Sequence, residues 1–288
     1  MAQQQITTTD IPPGSRLAFI GGGNMARSLI GGLLHNGWPA RQIVVSDPDP
    51  EQPARLYQLD PDLSVINDND AAAAAADVVV FAVKPQILQM ACRELADTLQ
   101  QSRPLVLSIA AGIRSTDIER WCGGDLPIVR CMPNTPALVQ SGATGLFANA
   151  KVSDAQRALA ETLMRAVGTA VWVGDEPQLD AVTALSGSGP AYVFLVIEAM
   201  QAAGEKLGLA DEVARLLAIE TVFGAAKLAL ESPDSPATLR ERVTSKGGTT
   251  ERALEVLEAG GIRKLFEDAL AAARKRAEEL AEQLGKDQ

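Results

Sequence analysis

Leu17-Ala18-Phe19-Ile20-Gly21-Gly22-Gly23-Asn24-Met25-Ala26 is the stretch whose reading decides the fold of this chain. A short apolar run stops at three glycines and an amphipathic segment follows from Met25 to Asn36, which reads as strand, tight turn and helix. Gly21 suits the sharp turn out of the strand, Gly23 has no side chain to keep a pyrophosphate off the backbone, and Ala26 lets helix and strand pack closely. The helix start, with Asn24 and Met25 in its first turn, offers free N–H groups to phosphates. Gly-x-Gly-x-x-Ala is a weak pattern by itself. Its context strengthens it, because a second apolar run, Ile43-Val44-Val45, follows at the distance of a βαβ unit.

Outward from that unit, apolar bursts recur at 63–66, 78–83, 105–109 and 128–132, spaced to leave room for helices such as 86–99 and 115–121, the latter with Ser115 as N-cap. Near-continuous apolar strands alternating with helices predict a parallel sheet covered on both faces. The six alanines of 71–76 fit a short packed helix. A helical pattern over 153–167 leads to a last strand at 170–173, and from residue 178 onward only helix-length patterns remain. The expected fold class is therefore α/β: an N-terminal Rossmann-type doubly wound parallel sheet followed by an all-α C-terminal dimerisation domain. The boundary is expected in the turn formers Gly174-Asp175-Glu176-Pro177, giving a loose tail over 1–13, a dinucleotide-binding domain over 14–175 and a helical substrate-binding and dimerisation domain over 176–288. The breadth of apolar surface on Leu216 to Leu230 exceeds what a solvent-facing helix needs and favours a helical dimer interface.

Composition narrows the function. With 47% hydrophobic residues in 288 the core is ample, and a net charge of −10 argues against nucleic acid or an anionic membrane as partner. No run reads as long and apolar enough to span a bilayer, and the Gln- and Thr-rich start is unlike a signal peptide. Cys92, Cys122 and Cys131 lack metal-ligand spacing and fit free thiols in a cytoplasmic protein, with no metal site expected. His35, the single histidine, sits at the tail of the first helix, away from the glycine turn, so any proton must be handled by a hydroxyl, an acid, a lysine or the substrate.

Candidate ligand groups cluster at the ends of the strands. Ser46-Asp47 stands where an acid grips an adenosine ribose; Asp47 suits NAD, Ser46 suits a 2′-phosphate, and an Asp-Pro turn explains both residues as well. Ala82-Val83-Lys84-Pro85 and Ser108-Ile109-Ala110 end strands at the carboxyl edge, where ligands bind in open α/β sheets, although a solvated lysine and close packing are the plainer explanations. In the helical half, Leu185 to Tyr192 reads as a helix start with Pro190 in its first turn. The loop 243–250, Val-Thr-Ser-Lys-Gly-Gly-Thr-Thr, places unpaired N–H donors and hydroxyls together at a helix mouth, which suits a carboxylate.

At this point the chain closely resembles the pyrroline-5-carboxylate reductases. The matching stretches are Phe19 to Ala26, Ala82 to Pro85, Arg130 to Pro136, Leu185 to Tyr192 and Leu239 to Thr250, in order over nearly the whole chain. Lys246 departs from the family's usual proline. The resemblance implies hydride transfer from NADPH, favoured, or NADH to a cyclic imine carrying a carboxylate, in a homodimer or a higher assembly. It implies that Thr250 bonds the ring nitrogen with Ser245 beside it, and that Gly248, Thr249 and Thr250 hold the carboxylate. It also implies that Asn69 contacts the adenosine ribose and that Ala82, Lys84 and Pro85 line the cofactor. A 3-hydroxyacid dehydrogenase or another imine reductase shares the two-domain plan; the former would need a lysine base, for which Lys206 and Lys227 are the candidates. A nucleotide-binding protein without turnover is the third reading.

Overall fold

A computed structural model describes residues 14–287; the tail expected over 1–13 lies outside them. The chain divides into two compact units. One runs to Ser188 and resumes at Ala273, and the other is Gly189–Ala272.

The first unit is built on eight strands: β1 Leu17–Ile20, β2 Ile43–Ser46, β3 Ser64–Ile66, β4 Val78–Phe81, β5 Leu105–Ser108, β6 Ile128–Met132, β7 Gly142–Ala148 and β8 Gly168–Trp172. Their order in the sheet is β3-β2-β1-β4-β5-β6-β7-β8, parallel from β3 to β6. Successive residues of β1 serve opposite faces. Leu17 and Phe19 join one core with Leu29, Ile30 and Leu33 of α1 (Asn24–His35), while Ala18 and Ile20 join the other with Leu88 and Cys92 of α4 (Pro85–Glu94). A strand buried on both faces has no polar side, which is why β1 reads as an unbroken apolar run.

Three expectations need correction in this unit. The sheet is not wholly parallel, because β7 runs antiparallel to β6 and β8 parallel to β7. Met132 and Gly142 are joined only by a short link holding the 3₁₀ turn Thr135–Val139, too little for the crossover that a parallel return requires. The helix expected over 86–99 is interrupted at Leu95, giving α4 and then α5 (Ala96–Ser102). Ser115 is the first residue of α6 (Ser115–Trp121) rather than its N-cap, and Glu176 takes the capping role. The Glu176 carboxylate accepts the Ser115 N–H at 2.5 Å, the Ser115 hydroxyl at 2.8 Å and Arg130 Nη1 at 2.7 Å.

That same carboxylate explains where the compact unit ends. Asp180, on α8 (Gln178–Val182), is 2% exposed and receives Arg114 Nη2 at 3.0 Å, so residues 176–188 are tied to the sheet by two enclosed ion pairs. This compact unit therefore runs on to Ser188, past the turn formers of 174–177. The chain also returns: on α13 (Ile262–Leu284) Ala277 and Ala281 are buried, and Asp287 meets Trp121 Nε1 at 3.0 Å and Arg93 Nη2 at 2.9 Å. The Trp121 N–H, with Arg120 and Arg93, holds the Asp287 carboxyl below its ordinary range.

In the second unit α9 (Gly189–Lys206) packs on α10 (Asp211–Glu231), where a Cβ built on Gly204 would lie 3.2 Å from Ala214 Cβ. The two helices come close because those residues are small. α11 (Pro236–Arg242), α12 (Thr249–Ala259) and the start of α13 complete it. Most of its apolar side chains face outward, Phe194, Leu216, Phe223 and Val256 each at 60% exposure or more. One expectation about membranes is corrected here: the helical stretch Gln178–Lys206 holds an 18-residue window of mean hydropathy 1.3, long and apolar enough to cross a bilayer by length and composition. Only Glu198 breaks the uncharged run between Asp180 and Glu205.

Candidate active site

Strand pairing places Ile20 beside Ser46 on one side and Phe81 on the other, with Ser108 next to Phe81, so the residues after these four strand ends share the carboxyl edge of the sheet. Strand order reverses between β1 and β4. A crevice opens at such a switch point, and the glycine turn occupies it. Gly21 has φ +100, and a Cβ there would lie 2.8 Å from the Ala82 carbonyl oxygen and 3.1 Å from Val83 Cγ1. Only glycine meets both demands. Its N–H donates to the Ser46 carbonyl at 2.8 Å, and the Ala82 N–H to Ile20 at 2.8 Å, so the turn is stitched to both neighbouring strands.

Gly23 differs from Gly21. It caps α1 with φ −64 and ψ −177, and a Cβ there would meet nothing within 4 Å. The first backbone N–H of α1 to find a partner is that of Arg27, on the Gly23 carbonyl at 2.9 Å. Those of Gly23, Asn24 and Met25 have none among the described residues. A bare backbone, three free donors and no acid in the first turn of α1 fit a pyrophosphate.

Asp47 has a local task the sequence did not disclose. Its Oδ2 accepts the Gly22 N–H at 2.6 Å and its Oδ1 the Asp49 N–H at 2.8 Å, so this carboxylate clamps the glycine turn. Ser46 is 2% exposed at the end of β2. Lys84 is exposed at the N-cap of α4, and Pro85, its first residue, presets the helix. Ala110 is 6% exposed after β5. Asn69 begins α3 (Asn69–Ala73), and its amide donates to Glu94 Oε2 at 3.2 Å.

Leu185 to Tyr192 is more than a helix start. Thr183–Gly187 forms a π-helical turn, with the Ser188 N–H on the Thr183 carbonyl at 2.8 Å. Asn134 braces it by donating Nδ2–H to the Ser186 carbonyl at 3.1 Å while its Oδ1 accepts the Ala143 N–H at 2.9 Å. Sequence reasoning assigned Asn134 no role. Its signal was a polar residue between two prolines, Pro133 and Pro136, at a strand end.

In the helical unit the loop before α12 is a β-turn over residues 245–248. The Gly248 N–H closes it on the Ser245 carbonyl at 3.0 Å, and Gly247 has φ +72, the left-handed value of a type II turn. Gly248 then serves as N-cap of α12, and the first N–H bonded inside the helix is that of Arg252, on the Gly248 carbonyl at 3.3 Å. The Gly248 donor is therefore spent on the turn. The N–H groups of Thr249 and Thr250 have no partner among the described residues, with the Thr250 hydroxyl beside them. Lys206 and Lys227, the lysines a hydroxyacid dehydrogenase would need, are both exposed on helices of this unit.

A glycine turn at the switch point of a mostly parallel sheet, followed by a helical unit with an anion-ready helix mouth, defines a nicotinamide-dependent oxidoreductase. Comparison with known proteins makes this particular. Residues 16–112 match the family model described as NADP oxidoreductase, coenzyme F420-dependent, and residues 176–280 that described as pyrroline-5-carboxylate reductase dimerisation. The chain is 54% identical over 273 residues to a pyrroline-5-carboxylate reductase of Pseudomonas aeruginosa, covering 94% of this chain and 98% of that one. The solved structure of a pyrroline-5-carboxylate reductase from Coxiella burnetii is similar at a TM-score of 0.89 and 49% identity, covering 93% of this chain and 99% of that one. That of the Plasmodium falciparum enzyme with NADP bound reaches 0.81 at 28% identity, covering 93% and 98%. The chain belongs to the pyrroline-5-carboxylate reductase family.

Proposed function

We propose that this protein reduces the C=N bond of 1-pyrroline-5-carboxylate to give L-proline, the last step of proline synthesis, with NADPH as its preferred reductant and NADH as the alternative. The observation that carries the reading is the helix mouth at α12, where two unpaired N–H groups and a hydroxyl converge. The N–H groups of Thr249 and Thr250 hold the substrate carboxylate, helped by the positive end of the helix. The Thr250 hydroxyl bonds the ring nitrogen, with Ser245 beside it, and Gly248 supplies a backbone without a side chain. In the sheet unit Gly21, Gly23, Asn24 and Met25 receive the pyrophosphate. Ser46, Asn69, Ala82, Lys84, Pro85 and Ala110 line the rest of the cofactor site. Asp47 acts from behind by fixing Gly22, and Asn69 exchanges its Glu94 partner for the ribose.

The cofactor supplies hydride to the C=N carbon when bound. The substrate nitrogen is already charged as an iminium ion, so the chain must orient it and exclude competing geometries rather than deliver a proton. A catalytic histidine is not required. Steady-state oxidation of NADPH with pyrroline-5-carboxylate tests the reading, against NAD reduction with 3-hydroxyisobutyrate. Turnover only in the second assay would sink it, and titrating both nicotinamides sets the preference.

The outward apolar faces of α9, α10 and α12 belong, in this reading, to a homodimer contact, supported by the dimerisation match over 176–280. A helix surface carrying Phe194, Leu195, Phe223 and Val256 is unfavourable in water and is covered by the same unit of a second subunit. Sedimentation at micromolar concentration is expected to show a dimer. A stable monomer there would remove the assignment. The cytoplasmic location proposed for the protein rests on its three free, buried thiols, of which burial pushes Cys131 well up.

A further inference from the structure

The turn over residues 245–248 has one element that its residue types alone do not supply. In a type II turn the peptide between the two central residues is flipped relative to type I, and the N–H of that peptide belongs here to Gly247. Glycine at Gly247 permits either orientation. Lys246, the first central residue, is exposed and does not preset φ as a proline would. Nothing in the turn itself selects the flip. The selection comes from Glu251, whose Oε2 accepts the Gly247 N–H at 2.6 Å.

Glu251 is the third residue of α12. An acid at that place ordinarily reaches back to the N-cap N–H in a capping box. The N-cap donor, that of Gly248, is already on the Ser245 carbonyl, so the carboxylate reaches one residue further. We infer that Glu251 is a positioning residue for substrate binding: by holding the central peptide of the turn it fixes the path along which Thr249 and Thr250 present their N–H groups. It touches neither substrate nor cofactor. The inference rests on the carboxylate site proposed above. It also carries a cost, since a negative charge in the first turn of α12 opposes a bound carboxylate; the bond to Gly247 offsets it by engaging one oxygen away from the free donors.

Two variants and two readouts test it. Glu251→Ala removes the acceptor, and as the turn samples both orientations about equally, KM for pyrroline-5-carboxylate is expected to rise about twofold, the inverse of the competent fraction, with kcat changed less. Amide exchange of the 245–250 segment should quicken. Glu251→Gln keeps a carbonyl acceptor of the same reach and sheds the charge, so its KM is expected at or below that of the parent. If Gln behaved like Ala, or if Ala left both KM and exchange unchanged while Thr250→Ala lost activity, the positioning role would be overturned and the site would stand. If exchange quickened in Glu251→Ala but neither it nor Thr250→Ala altered kinetics, the carboxylate site itself would be misplaced, and the inference would fall with it.

Discussion

Gly23→Val is expected to fold as the parent does and to lose affinity for NADPH by a factor of about 100 or more. Three observations combine. Gly23 has φ −64 and ψ −177, an ordinary extended conformation for any residue, so valine strains no backbone. Its Cβ would meet no atom within 4 Å, so nothing in the sheet unit is displaced. The branched side chain would instead fill the space in front of the free N–H groups of Gly23, Asn24 and Met25. Losing two charge-assisted bonds to phosphate costs about 3 kcal/mol or more, which is about two powers of ten in affinity. Gly21→Val provides the contrast, because φ +100 and the Ala82 carbonyl at 2.8 Å forbid a side chain there and the fold itself should suffer. Fluorescence titration of NADPH, beside a thermal melt, separates the two. A folded Gly23→Val protein that bound NADPH normally would reduce the Gly21 to Ala26 turn to a structural element.

The difference between these glycines shows what the sequence could and could not disclose. Their spacing was legible because it answers to backbone geometry, and the buried parallel strands were legible because covering both faces leaves no place for polar residues. β7 was not. Gly142-Ala143-Thr144-Gly145 lacks the apolar run of a strand because α8 lies on it: a Cβ at Gly145 would come within 3.2 Å of Leu179 Cδ2, closer still to Val182. Small residues there answer to a neighbour that is remote in sequence. The ties of residues 176–180 to the sheet were hidden in the same way, since the partners of Glu176 and Asp180, namely Ser115, Arg130 and Arg114, lie 46 to 66 positions earlier.

The candidate site divides along the same line. The loop before α12 announced itself through composition, with glycines and hydroxyl residues crowded at a helix start. What the composition did not show was how its donors are shared out. The Gly248 N–H closes the turn and the Gly247 N–H goes to Glu251, which in the sequence is one acid among many on an amphipathic helix. Asp47 is parallel: its place after β2 suggested a ribose contact, and its two oxygens are engaged with the N–H groups of Gly22 and Asp49. Residue type announces which chemistry is available at a position. Hydrogen-bond partners decide how much of it remains for a ligand.

Thr250→Ala is expected to lower kcat/KM by about ten- to hundred-fold, most of it in kcat. The hydroxyl has no partner among the described residues, and the Thr250 N–H is also free, so truncation leaves no buried group unsatisfied in the protein alone. The loss falls on the complex. If the hydroxyl accepts the iminium N–H and so turns the C=N carbon toward the hydride, its loss removes an orientation needed in the reacting geometry, and the decrease appears in kcat rather than KM. One hydrogen bond to a charged group contributes about 1.5–3 kcal/mol, which gives the stated range. Thr250→Ser keeps the hydroxyl and should retain most activity. The structural alternative is weak on geometry, because Gly248 is the N-cap and Thr250 the second residue of α12, so its side chain does not close the helix. A cap would cost about 1 kcal/mol of stability on removal, with normal turnover of the folded fraction. Thermal stability measured beside kcat/KM decides between them: an Ala variant that melted early but turned over normally would take Thr250 out of the reaction, and the proposed orientation of the ring nitrogen with it.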